Sequence, residues 1–131
     1  MHKVKIGTEL QVITPNEPGI LGRVLGTLAN AGINLKALCS YSEDEKGKFF
    51  LVASDNNKAE KSLKLLGYNV KMNKVVLVQV EDRIGAGAEI GALLGNANID
   101  VKYCYGTSSS SGITLLVFNT NNNKKTIETL S

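Results

Sequence analysis

Alternation of apolar and polar residues over Leu10, Val12 and Thr14 has the two-residue period of a half-buried strand. Pro18 and Gly19 then break the chain, and Ile20, Leu21, Val24, Leu25 and Leu28 recur at helical spacing, giving a helix with one apolar face. Gly32 supplies a residue able to turn left-handed and stop that helix. Alternation resumes at Ile33, Leu35, Ala37 and Cys39. The stretch 14–35 therefore reads as strand, glycine loop, helix, sharp stop and strand.

The same pattern returns 66 positions later, the distance from Gly19 to Gly85. At that offset Val4 meets Val70, Lys5 meets Lys71, Val12 meets Val78, Leu28 meets Leu94, Asn30 meets Asn96, Ile33 meets Ile99 and Lys36 meets Lys102. Further on the offset slips to 65, pairing Gly47 with Gly112 and Val52 with Val117, as one residue lost in a turn would produce. A repeat that fills the chain decides the fold before any single element does.

The first copy is expected to place strands at 8–14, 33–42, 48–54 and 68–72, with helices at 19–31 and 58–66 and a charged turn over 43–47. The second places strands at 75–80, 99–106 and 113–119 and helices at 87–97 and 122–130, and ends one strand short. Residues 3–6 match 69–72 and are the candidate for the missing strand, since an unpaired sheet edge would otherwise stay exposed. The expected fold class is α+β, two ferredoxin-like βαββαβ units with antiparallel sheets. The units are expected at 7–73 and 74–131, with 1–6 supplying the last strand of the second.

Composition narrows the function. The chain has 131 residues, 43% hydrophobic, enough for one compact unit or two very small ones. A net charge of +3 is too small to argue for nucleic acid. The start of the chain lacks the apolar core of a signal peptide, and no apolar run reaches the ~18 residues of a membrane span. Cys39 and Cys104 are then expected as reduced, buried thiols in the cytoplasm. With His2 they are too few for a zinc site, so no metal and no cofactor is expected. No Ser–His or Cys–His pairing suggests catalysis, so the chain reads as a non-enzyme. Tyr41, Tyr103 and Tyr105 read as packing or interface residues.

Pro-Gly-Ile-Leu at residues 18–21, followed by Ala-Asn-Ala-Gly-Ile-Asn-Leu at 29–35, resembles the ACT domain, a regulatory module that binds amino acids. The resemblance covers both halves. It is strongest to stand-alone tandem ACT proteins and extends to the regulatory domains of acetolactate synthase. The second copy departs from the pattern: Ile84 replaces the proline, Gly87 replaces a leucine, and Asp100 stands where Asn34 stands.

This resemblance implies effector sites between the first loop and the start of the second strand, often across a domain interface. The first site would use Asn16, Glu17, Pro18, Gly19, Ile20, Leu21 and Asn34, and the second Asp82, Arg83, Ile84, Gly85, Ala86 and Asp100. Backbone N–H groups at Ile20 and Leu21 would grip a carboxylate, and the side-chain oxygens of Asn34 or Asp100 an ammonium group. The competing explanation is that Asn16 and Asp82 merely cap helices. A sensor of an amino acid or related carboxylate is expected, with a homodimer and a metabolic enzyme as partners. The alternatives are an oligomerisation module without ligand, or an RNA- or nucleotide-binding ferredoxin-like domain. Gly85, Gly87 and Gly91 lack the stricter dinucleotide spacing, so close helix-to-sheet packing at Gly87, Gly91, Gly95, Gly22 and Gly26 is the simpler explanation. Phe49 and Phe50 are adjacent and point to opposite faces, which spoils an RNA-stacking platform.

Overall fold

The computed structural model describes residues 2–131. Its elements run β1 (Lys3–Pro15), α1 (Ile20–Asn30), β2 (Leu35–Glu43), β3 (Lys46–Ala53), α2 (Asn56–Lys64), β4 (Asn69–Glu81), α3 (Ala86–Asn96), β5 (Val101–Ser108), β6 (Ile113–Thr120) and α4 (Asn123–Leu130). The class is α+β, with antiparallel strands and helices in two ferredoxin-like sets.

One compact unit is Thr8–Asn73. Its strands lie in the order β2-β3-β1-β4. Leu10 stands opposite Leu51 and Val12 opposite Phe49, so alternate residues of both strands reach one face. That face closes on α1 and α2 through Leu10, Val12, Val24, Leu28, Phe49, Leu51 and Leu63. Phe49 is buried there, while Phe50 pairs with Cys39 on the other face and lies 6.0 Å from Tyr41. The second unit takes Lys74–Ser131 together with the N-terminal segment that ends at Gly7. Its order is β5-β6-β4-β1. Val76, Val78, Val80, Ile90, Leu94, Phe118 and Leu130 form its core, and Val4 packs against them.

The strands are longer than the alternation predicts. The pieces read at 3–6 and 8–14 join into one 13-residue strand, as do those at 68–72 and 75–80. Gly7 marks a close approach and not a break: a Cβ there would lie 2.5 Å from Leu77 Cδ1. Between Met72 and Val75 stand Asn and Lys, which need not turn the chain. The charged turn is also tighter than 43–47, since Asp44 and Glu45 alone cross it at φ 53° and 61°. Both central residues at positive φ make a two-residue hairpin whose twist suits the strands.

Helix stops repeat faithfully. Gly32 sits at φ 74°, with Ile33 N–H donating to Leu28 C=O at 3.0 Å and Gly32 N–H to Ala29 C=O at 3.0 Å. This is a Schellman stop. Asn98 takes the same place at φ 57°, with Ile99 N–H donating to Leu94 C=O at 3.0 Å.

Two expectations about small side chains fail. Cys39 is half-buried and Cys104 exposed. They fall one position apart in the repeat, so Cys39 pairs with Phe50 on one face and Cys104 with Phe118 on the other. The helical glycines do not pack closely either. A Cβ at Gly22, Gly26, Gly87, Gly91 or Gly95 would meet nothing within 4 Å.

Candidate functional site

The loop that enters α1 stands at the end of the first unit where β1 finishes. Pro15 is opposite Lys46, and Asn16 N–H donates to the Glu45 carbonyl of the hairpin at 3.1 Å. Asp82 N–H makes the matching bond to Gly112 C=O at 2.9 Å in the second unit. Each loop is thus tied to the neighbouring strand hairpin before its helix starts.

Glycine begins both helices. Gly19 at φ 90° and Gly85 at φ 87° are the N-caps, and neither helix has a side-chain cap. Capping therefore does not explain Asn16 and Asp82; the side chains that do cap are Asp55 on α2 and Asn122 on α4. Ile20 N–H donates to Glu17 C=O at 3.1 Å, and Ala86 N–H to Arg83 C=O at 3.2 Å. Ile20 is thereby spent. Among the described residues the N–H groups of Leu21 and Gly22, and of Gly87 and Ala88, have no backbone acceptor. Open N–H groups and the helix dipole favour an anion at both places.

A charge-swapped staple lies over each start. Arg23 Nη1 donates to Glu17 Oε1 at 2.9 Å. At the equivalent positions the polarity reverses: Arg83 donates through both terminal nitrogens to Glu89, at 3.1 and 2.6 Å. The Tyr68 side chain first, and Glu17 second, push the Arg23 guanidinium further above its ordinary value. Arg83 holds the Glu89 carboxyl below its ordinary value, and Glu89 raises Arg83 in turn. Glu17 and Arg83, expected to face a ligand, are each bound to their own helix. Pro18 is exposed, and Ile84 in its place is fully so, at 101%. Ile20 and Ala86 turn inward to the cores.

Asn34 and Asp100 sit elsewhere. Asn34 N–H donates to Ser54 Oγ at 3.0 Å, and Ser54 N–H to Asn34 C=O at 2.8 Å, at the far end of β3 from the hairpin. Asp100 N–H donates to Asn121 Oδ1 at 3.1 Å, and Asn121 N–H to Asp100 C=O at 3.0 Å. The 11 residues of α1 span ~16 Å and separate Asn34 from the loop; α3 does the same for Asp100. Within each unit, loop and strand start are at opposite ends. Both side chains are exposed.

Sequence reasoning missed the staples, although opposite charges at equal repeat positions were legible. It also missed the residues that meet the second loop from afar. His2, Val80, Glu81 and Ile90 join Arg83, Ala86 and Glu89 around a cavity of about 40 Å³. That is room for a water molecule or so, far below the ~300 Å³ at which small-molecule pockets usually begin. A larger apolar groove, about 450 Å³, lies between α3 and the strands β5 and β6.

Comparison with known proteins agrees with this architecture. The family model described as ACT domain pair matches residues 6–131. Protein BT0572 from Bacteroides thetaiotaomicron is similar at 28% identity and a TM-score of 0.88, over 97% of this chain and 88% of that one. The regulatory subunit of aspartate kinase from Thermus thermophilus shares the fold at 11% identity and a TM-score of 0.70, over 99% and 95% of the two chains. That from Thermus flavus does so at 14% and 0.67, over 98% and 94%. No curated protein matches the sequence.

Proposed function

The chain belongs to the ACT domain pair family, and from that premise we propose that it is a non-catalytic sensor of an amino acid or a related carboxylate. The observation that carries this reading is the pair of glycine-started helices, whose open N–H groups at Leu21 and Gly22, and at Gly87 and Ala88, suit a carboxylate. The ammonium end needs an acceptor, and Asn34 and Asp100 are too far along the same unit to give one. A second copy of the chain supplies it, so the effector sits between protomers of a homodimer and its binding is linked to association. The occupied dimer then reports to a metabolic enzyme.

A thermal-shift screen of amino acids and related carboxylates tests this. An effector that binds only the folded state, at ~100 times its dissociation constant, adds ~2.7 kcal/mol. The gain should grow with protein concentration if the site needs two copies. A screen with no shift favours the second reading, an assembly module without ligand, for which the small size of the cavity at the second loop speaks.

A further inference from the structure

Period two sorts the strands of the second unit into two faces. Val4 on β1 and Val76, Val78 and Val80 on β4 belong to the core under the helices. Lys3, Lys5 and Gly7 on β1, and Val75, Leu77, Gln79 and Glu81 on β4, therefore fall on the face turned away from α3 and α4. On β6, Leu115 stands opposite Gln79 and Val117 opposite Leu77. Lys3, Val4, Lys5, Leu77, Gln79 and Leu115 line a cavity of about 320 Å³ there. Small-molecule sites begin at about that size, ~300 Å³. Gly7 helps to make the floor: it leaves room for Leu77, whose Cδ1 lies only 2.5 Å from where a Cβ would stand.

The strand order β6-β4-β1 puts the lysines on one flank, Leu115 on the other, and Leu77 and Gln79 between them. Leu77 is buried and Leu115 half-buried, so floor and far flank are apolar. Lys3 and Lys5 are exposed, and among the described residues neither makes an ion pair. Two positions apart on one face, their Cα atoms lie ~7 Å from each other, within reach of one anion for two long side chains. Gln79 adds an amide that both donates and accepts. By the same alternation the other charged residue on this face of β1, β4 and β6 is Glu81, whose carboxylate is engaged by Arg83 Nε at 3.7 Å. We propose that this cavity is a ligand site in its own right, for a small phosphate monoester: a compact dianion held by Lys3 and Lys5, on an apolar body laid over Leu77 and Leu115. Two cations on one flank select a dianion over a monoanion. The site lies on the opposite face of the sheet from the helix starts, so it goes beyond the amino-acid reading and does not depend on it. The first copy is not built for the same ligand. The offset of 66 puts Asn69 at the place of Lys3, Ile13 at that of Gln79, and the buried acid Glu9 at that of Val75. Lys71 alone is left of the lysine pair, with an acid on its face.

Methyl and side-chain amide NMR of the full chain reads the site directly. Titrated with phenyl phosphate at low salt, the Leu77 and Leu115 methyls and the Gln79 amide should shift together and saturate below ~10 mM. Lys3→Gln and Lys5→Gln, at exposed positions, should each weaken binding by roughly tenfold, as loss of a charge-assisted contact does. Lys5→Arg keeps the charge and should bind nearly as well as wild type. Where a substitution on β1 loosens that edge strand, Gln79→Glu on β4 carries the test, since an acid there repels the anion and should weaken it by a similar factor. Inorganic phosphate has the dianion without the body, and benzoate the body with a single charge; each should bind at least about tenfold more weakly. No saturable shift at Leu77, Leu115 and Gln79 overturns the site, and so does unchanged binding in the Lys→Gln variants. Inorganic phosphate or benzoate binding as tightly as phenyl phosphate overturns the ligand class. Shifts at Leu21 or Ala88 with none at Leu77 put the probe at the helix starts, which overturns this site and leaves the sensor reading standing.

Discussion

Deleting residues 1–6 should unfold the second unit in preference to the first. The segment contributes Lys3–Ile6 of β1, which has only β4 beside it in that unit's strand order. Four residues direct about half of their eight backbone groups toward that neighbour, and ~4 hydrogen bonds at ~1 kcal/mol give ~4 kcal/mol. Val4 is half-buried against the second core and adds ~1 kcal/mol. His2, whose ring bonds the Leu130 carbonyl at the end of α4, is lost as well. The total, ~5 kcal/mol, is comparable with the whole stability of a small domain. Hydrogen exchange should therefore show protection collapsing at Val76, Val78 and Val117, while Leu10, Leu51 and Phe49 keep theirs. The milder Val4→Ala should lower the second unit by ~1 kcal/mol only. Equal protection of both cores after the deletion would refute the claim that the N-terminal strand closes the second unit.

Asn98→Gly should stabilise the second unit by roughly 0.5–1 kcal/mol, because Asn98 holds φ 57° where Gly32 stands in the first copy; a lower melting temperature would contradict it. Glu89 has a depressed folded pKa, so its pairing with Arg83 stabilises fully above the ordinary carboxylate range and is lost as pH falls through the folded value. In Arg83→Ala, carbon-detected NMR should find Glu89 titrating higher, back toward its ordinary value; an unchanged titration would remove Arg83 as the cause. Asn34→Ala should weaken an amino-acid effector more than Asp100→Ala in calorimetry. Asn34 both donates and accepts and so suits either end of the effector, whereas Asp100 attracts the ammonium group but repels a carboxylate placed beside it. Loss confined to Asp100→Ala would reverse that assignment.

The fold was legible because it is written twice. Each copy repeats the pattern of apolar residues on its helix and strands, and the chance of two accidental patterns in register over a whole chain is small. Boundaries were less legible. Gly7 has the composition of a break, and only the proximity of Leu77 explains why the strand runs through it. The glycines of α3 read as close packing because spacing does not say which side of a helix faces the sheet. The loop residues were found, yet their partners were not. Whether Glu17 faces a ligand or Arg23 depends on a side chain six positions away, folded back over the loop. The distance from Asn16 to Asn34 depends on the direction of α1, which carries the chain from one end of the sheet to the other.

The reversal of the staple bears on how the copies diverged. Swapping Glu17–Arg23 for Arg83–Glu89 keeps the ion pair and keeps each loop against its helix. It also moves the acid. In the second unit Glu89 lies in the first turn of α3 and already offsets the positive end of that helix; α1 has no acid there. The first helix start has no such acid in its first turn, and the charge of Arg23 there is balanced by Glu17 of the loop. Pro18 fixes its backbone there, so less entropy is lost when that loop closes on a ligand, whereas Ile84 stands exposed in the second. If a carboxylate binds at either start, the missing first-turn acid and the stiffer backbone make the first loop the expected place, as the Asn34→Ala and Asp100→Ala comparison tests.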